Sequence, residues 1–450
     1  MSIAIPPVVL QACGILKKQG FQVYLVGGAI RDSLLGLKVT DWDITTDATP
    51  DQIEALFEHS LPTGKQFGTI TVILDRQHLE ITTMRRDGPY SDMRRPDYIT
   101  FTDSLEFDLS RRDFTINAIA FDPFSGKLID PHLGRKHLKR KILTTVGDPE
   151  ERFREDPLRM LRLIRFQATL GFKIKRKTQR VLPELAELIN KVSPERILAE
   201  LNKMLVGKEL FLGLQTFFTS GLMKEIIPEL AQGQGLSPGA SHRYDLLGHA
   251  MVTAHFTYPS LRLRWAALLH DIGKGDTLQR EHAEISASLA KQILKRLRAS
   301  NGLIEAVSIL IFHHMFSVHP HSSAKELRRF LGQVGPETAL ELVKLRQADM
   351  AGMDVNPRQI IAFGQAMEAR IKEILELDQV LSLQDLAVDG HYLMQALELK
   401  PGPIVGQILQ HLLEQVWSDP TLNRPETLQK LAQNYLGSLP ESPPWSSGPK

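Results

Sequence analysis

Two aspartates separated by one residue, Asp41 and Asp43 in DWDITT, are well suited to hold a divalent cation. In an extended segment side chains alternate faces, so both carboxylates point one way and Trp42 the other. Like charges held that close repel each other and invite a cation between them. Just upstream, YLVGGAIRD reads as an apolar strand, a Gly27-Gly28 break and a short helix carrying Arg31 and Asp32. Glycines let backbone N–H groups approach a bulky anion, and a helix N-terminus adds partial positive charge. Phosphates on one side and metal-holding carboxylates on the other suggest phosphoryl or nucleotidyl transfer. The plainer alternative is a βαβ turn with two solvated aspartates.

Other charged groups bear on the same chemistry. Glu80, on the second arm of an expected hairpin, is either a third metal carboxylate or an exposed strand residue. Arg111 and Arg112 precede an apolar run and either grip a triphosphate or sit on the surface. Asp156-Pro157 opens LRMLRLIRFQATLGF, where Leu158, Leu161 and Phe166 supply a buried side. Arg159, Arg162 and Arg165 sweep round the other. Basic runs flank this segment at 135–141 and 173–180, as solvated faces or as contacts to a phosphate backbone. Nine of the fifteen histidines fall between His242 and His321, a concentration that points to a site.

The elements that must position these residues predict an α+β chain. Residues 1–140 mix strands and helices, with PDQIEALFEH as a helix and KQFGTITVILDRQHLEITTMR as a hairpin turning near Asp75–Gln77. RRDGPYSDMRRPDYITF reads as a long mobile loop. Beyond Asp130 the pattern is helical, with Asp148, Pro149 and Glu151 expected to form an N-cap and capping box. Domains are expected over 1–140, 141–230, 231–355 and 356–437, with AQGQGLSPGAS marking a loop or boundary near 231–241 and 438–450 disordered. A length of 450 residues supports several domains, and a net charge of +2 confines any nucleic-acid surface to local patches. The single cysteine, Cys13, excludes an internal disulfide and fits a reducing cytoplasm. There is no basic n-region of a signal peptide and no apolar run long enough to span a membrane. Nothing here specifies an oligomeric state.

In order along the chain, GGAIRDSLLG, DWDITT, GKQFGTITV, RRDGPY…RRPDYITF, SRRDFTINAIAFDPF, EDPLRMLRLIRF, SPERILAEL and MQALELKPGPIVGQIL resemble the bacterial class II tRNA nucleotidyltransferases. These CCA-adding enzymes share a head domain with bacterial poly(A) polymerases. The resemblance implies a polymerase-β-like head with a mixed sheet, then an all-α neck, body and tail. It implies that Asp41 and Asp43 hold Mg²⁺, that Gly28, Arg31 and Arg112 meet the phosphates, and that Arg162 and Arg165 assist. It also implies that Asp156 and Arg159, three apart and expected on one helical face, choose the base. tRNA, CTP and ATP would be the partners.

His249, His270-Asp271 in HDIGK and Asp349 resemble the H…HD…D pattern of HD-domain phosphohydrolases, which implies a transition-metal ion. His282 and the His313-His314 pair could complete or extend that set. Two other readings stay open. One is an A-adding enzyme or poly(A) polymerase of the same family; the intact RRDGPY loop argues only against a CC-limited enzyme. The other is an HD phosphohydrolase whose head merely binds RNA.

Overall fold

The computed structural model describes residues 3–237, 243–275, 282–377 and 381–439. The described chain forms two compact units. The first comprises 1–236, 259–264 and 291–304; the second comprises 237–258, 265–290 and 305–450. The boundary expected near 231–241 falls partly, and the expected disordered tail mostly, outside the described residues.

The first unit begins with helix α1 (Pro7–Lys18), strand β1 (Val23–Val26), α2 (Gly28–Leu35) and β2 (Asp43–Thr46). It continues through α3 (Pro50–Leu56), β3 (Ser60–Gly64), β4 (Thr69–Leu74) and β5 (Gln77–Thr83). The short strands β6 (Arg85–Asp87), β7 (Ile99–Phe101), β8 (Ala120–Phe121) and β9 (Leu128–Ile129) follow, with α4 (Leu105–Ser110) between β7 and β8. One seven-stranded sheet has the order β3-β4-β5-β2-β1-β8-β9, antiparallel except where β2 runs parallel to β5. Leu25, Ile44, Ile70 and Ile81 are fully buried on it, each contributing about 1.5–3 kcal/mol by leaving water.

The β4–β5 hairpin turns at Asp75 and Arg76, where φ is 48° and 62°. Two successive positive φ values give the turn twist that matches the flanking strands. Strands β6 and β7 pair antiparallel, so the expected loop is a hairpin whose tip spans 88–98. The tip is braced by its own aspartates: Asp92 accepts from the backbone of Arg94 and Arg95, and Asp97 from Ser91.

After α5 (Gly134–Arg140) come α6 (Pro149–Glu155) and α7 (Leu158–Leu170). Asp148 caps α6 by accepting from the Glu150 amide, and Glu151 completes no capping box. The chain breaks between α6 and α7 at Asp156, with φ −145° and ψ 100°, because a residue preceding proline is driven out of the helical region. Gly171, at φ 69°, ends α7. Helix α8 (Pro194–Leu205) packs across α7.

The next helices are α9 (Leu246–Phe256), α10 (Leu261–Leu269), α11 (His282–Arg296), α12 (Asn301–His313) and α13 (Pro336–Ala351). In the second unit α13 lies along α9. Its C-terminal helices share a core of Leu393, Ile408, Leu412, Trp417 and Leu428. Among the described residues no helix is long and apolar enough to cross a membrane.

Candidate active site

Gly28, Arg31, Asp41, Asp43, Glu80, Arg111, Arg112, Asp156, Arg159, Arg162 and Arg165 all line one cavity of about 1110 Å³ in the first unit, whereas the basic runs 135–141 and 173–180 lie outside its lining. Strand β2 starts at Asp43, so Asp41 lies just before the strand instead of within it. Asp41, Trp42 and Asp43 all line the cavity, with Trp42 buried, so the expected alternation of faces is not strict here. Glu80 is the register partner of Asp43 across the parallel β2–β5 pair, which brings a third carboxylate to the group. Burial raises the Asp43 pKa, Arg112 opposes the shift, and Glu80 and Asp41 add to it. Three converging carboxylates, one of them desolvated, fit a divalent cation.

Gly27 has φ 76° and sits against this group. A Cβ there would lie 3.0 Å from Asp43 Oδ2 and 3.1 Å from Arg112 Nη1. Only glycine tolerates both that conformation and that closeness. Arg31 is held by Asp32, donates to Asn117 Oδ1 at 2.7 Å, and lies over the Phe166 ring. Asn117 in turn donates to Asp113, and Asp113 accepts from Arg162 Nε and Nη2 at 2.9 and 2.6 Å. Burial opposes charge on Asp113, yet Arg162 and Asn117 outweigh it and hold the carboxyl well below its usual range. Glu200 on α8 pairs with Arg162 and Arg165. Burial pulls the Arg165 pKa down to about 10. The arginine stripe of α7 is therefore an internal ion-pair network and not a solvated face.

Asp156 and Arg159 do not share a helical face, because α7 begins only at Leu158. They meet the same cavity from either side of the proline break. Asp156 Oδ1 accepts from the Leu158 amide and Oδ2 from Arg196 at 2.8 Å, so it caps the helix and still faces the cavity. Arg159 is paired with Glu155, donates to the Arg152 carbonyl, and lies 5.8 Å from the Tyr90 ring of the β6–β7 tip. Sequence reasoning missed Asp113, Asn117, Arg196 and Glu200. The first two carried a signal, four residues apart and directly after Arg112 in RRDFTIN.

In the second unit His249, His270 and Asp349 form one buried trio, and Asp271, His282 and His314 another. Asp271 belongs to both neighbourhoods. Its Oδ2 is 3.3 Å from His270 Nε2, and its Oδ1 is 3.3 Å from His282 Nε2 and 3.6 Å from His314 Nε2. His270 and His314 point Nδ1 at the carbonyls of Ala267 and Ile311, 2.9 and 2.6 Å away. A carbonyl only accepts, so each Nδ1 donates, and a neutral ring then turns a lone pair on Nε2 into the cluster. His249 and His270 face each other Nε2 to Nε2 at 3.2 Å, and His282 and His314 at 3.3 Å. Such a mixed nitrogen and oxygen set suits a transition-metal ion. Gly352 makes room for the His249 ring, since a Cβ there would stand 2.4 Å from His249 Nδ1. His313 is not in the cluster; its ring lies against Phe312.

The Poly A polymerase head domain matches residues 23–144. A further family, "Probable RNA and SrmB- binding site of polymerase A", matches 171–233, and tRNA nucleotidyltransferase domain 2 matches 281–432. The chain is 32% identical to the CCA-adding enzyme of Lactobacillus helveticus over 96% of its own length and 98% of that enzyme. It is 34% identical to the CCA-adding enzyme of Lactococcus lactis over 92% of this chain and 93% of the other. The crystal structure of the Bacillus stearothermophilus CCA-adding enzyme in complex with CTP superposes with a TM-score of 0.77 at 28% identity, covering 96% of this chain and 99% of that one. Likeness at that level along nearly the whole of both chains shows that this protein belongs to the family of CCA-adding enzymes, which are nucleotidyltransferases.

Proposed function

We propose that the chain adds C, C and A to the 3′ end of tRNA from CTP and ATP, without a nucleic-acid template. One observation carries this reading: a single cavity joins metal-suited carboxylates, arginines for a triphosphate and an Asp/Arg pair for a base. Asp41 and Asp43, with Glu80 beside them, would hold Mg²⁺. When bound, that cation acidifies the attacking 3′-hydroxyl and stabilises charge on the phosphates. Gly27 and Gly28 keep side chains out of the phosphate path, and Arg31 and Arg112 supply cationic donors there. The basic runs beside α7 would meet the tRNA backbone.

The base is read by complementarity. Cytosine and adenine both present an exocyclic amine beside an unprotonated ring nitrogen. Uracil and guanine present a carbonyl beside a ring N–H. A carboxylate at Asp156 accepts from the amine, and a guanidinium at Arg159 donates to the ring nitrogen. Either wrong base leaves polar groups unpaired, the costly outcome. Asp156 keeps lone pairs beyond those used by Leu158 and Arg196.

The direct test gives purified protein tRNAs ending before CCA, after the first C and after CC, with each nucleotide alone and together. Stepwise C, C and A incorporation is expected. Incorporation only onto the CC-ended tRNA and only from ATP would replace this reading with an A-adding one. Long A tails on unrelated RNA would replace it with a polymerase.

The histidine cluster favours a second activity in the same chain. We infer that His249, His270, Asp271 and Asp349, joined by His282 and His314, form a metal-dependent phosphohydrolase centre. The bound metal would supply an activated water. His270→Ala is expected to lower the bound transition metal measured by elemental analysis and to remove hydrolysis of a 2′,3′-cyclic phosphate, while CCA addition persists. Unchanged metal content in a folded His270→Ala protein would sink the metal assignment. We propose a cytoplasmic location on the single free cysteine, Cys13, which is buried and whose thiol burial pushes up to about 12, so it is inert.

A further inference from the structure

Beside the transfer cavity lies a fully buried carboxylate that none of the roles above uses. Asp108, on α4, stands four residues before Arg112. Its Oδ1 accepts from Arg111 Nε and Nη2 at 2.9 and 2.7 Å. Its Oδ2 is 3.4 Å from Arg112 Nη2 and 3.5 Å from Thr45 Oγ1. Thr45 is two residues beyond Asp43 on β2 and gives its hydroxyl proton to the Thr82 carbonyl at 3.1 Å, so the buried carboxylate abuts the strand that carries the metal-suited aspartate.

Arg112 thus has an anchored edge and a presented one. Nη2 is turned back toward Asp108, while Nη1 lies beside Gly27, where a Cβ would come within 3.1 Å of it. The Arg112 Nε is buried and has no hydrogen-bond partner. The backbone beneath is clamped separately: Arg152 Nη2 donates to the carbonyl of Arg112 at 2.9 Å and to that of Arg111. A backbone clamp leaves a long side chain its rotamers, and arginine has many to lose. The carboxylate selects one of them before any nucleotide arrives.

We propose that Asp108 is a positioning residue for the nucleotide triphosphate. It holds the Arg112 guanidinium by one edge so that the remaining donors face the phosphates. The inference rests on the assignment of Arg112 to the triphosphate. A carboxylate that merely braced α4 would affect folding and the active fraction, not nucleotide affinity, and the Arg112→Ala background separates an effect through Arg112 from one through Arg111, which also lines the cavity.

The test measures ATP addition to CC-ended tRNA, with inhibition by inorganic pyrophosphate as a second readout. For Asp108→Asn the KM for ATP is expected to rise about tenfold or more, with kcat less affected and pyrophosphate inhibition weakened in parallel. In an Arg112→Ala background the same substitution should add little, because the two act through one contact. A folded Asp108→Asn enzyme with wild-type KM and pyrophosphate inhibition overturns the proposal, as do effects that simply add to those of Arg112→Ala. Should Asp108→Asn not fold, Asp108→Glu keeps the charge, moves it by one methylene, and is read against the same outcomes. If Arg112→Ala alone leaves both readouts unchanged, the triphosphate assignment fails instead.

Discussion

Asp43→Ala is expected to abolish nucleotide addition, lowering kcat by about 10³-fold or more, since metal-held charge stabilisation is worth several kcal/mol and each 1.4 kcal/mol is tenfold. Asp43 is the central member of its group, paired in register with Glu80 and placed against Gly27. Its neighbours cannot replace it, because Asp41 lies outside the strand and Glu80 approaches from the next one. The folded state should survive, since removing one of three mutually repelling carboxylates relieves a strain. Thermal unfolding separates the two effects, with little change in Tm expected. Hydrolysis of a cyclic phosphate by the histidine cluster should persist in the same variant, because none of its ligands lies in the first unit. Loss of both activities together in a folded protein would contradict separate centres.

The second large effect is on nucleotide choice. Asp156→Ala or Arg159→Ala is expected to admit UTP or GTP, with discrimination falling by about 10²-fold or more, because sites that hydrogen-bond a base edge reject mismatches by about 10⁴–10⁵. The geometry adds a consequence that spacing alone does not. Arg159 is engaged by Glu155 and lies near Tyr90, so reading a base requires part of that engagement to be exchanged. Asp156 shares its carboxylate with Arg196, so Asp156→Ala also frees a guanidinium beside the base. Both variants should therefore weaken fidelity and correct-nucleotide affinity together, since each removes one of the two hydrogen bonds to the correct base. Strict exclusion of UTP and GTP at full rate by either variant would end the protein-template argument. Competition assays with mixed nucleotides on CC-ended tRNA measure both quantities.

Local sequence patterns made much of this legible. The apolar strand, the glycine break and the helix of 23–35 appear as read, because they depend on neighbours within a few residues. The hairpin turn at Asp75 and Arg76 was legible for the same reason. Besides the capping box expected at Glu151 and the place expected for His313, three readings needed correction, each from a competing force. Pro157 pushed Asp156 out of the helix, so the expected face of Asp156 and Arg159 is a junction between two helices. Strand pairing of β2 with β1 begins only at Asp43, leaving Asp41 before the ladder. Pairing of β6 with β7 turned the expected loop into a hairpin with a self-braced tip.

The sequence by itself determined the chemistry available to this protein: which residues are acidic, basic or imidazole-bearing, and the order of motifs that places it among nucleotidyltransferases. It also determined the local elements, because capping, turn conformation and apolar periodicity act over a few residues. Only the tertiary structure decided which of those groups meet. Glu80 reaches Asp43 through strand register. The arginines of α7 become an ion-pair network because Asp113 and Glu200, 49 and 38 residues from Arg162, arrive beside it. His282 and His314 join Asp271 because separate segments converge on one buried point. Such contacts depend on packing between distant segments, and spacing along the chain does not encode them.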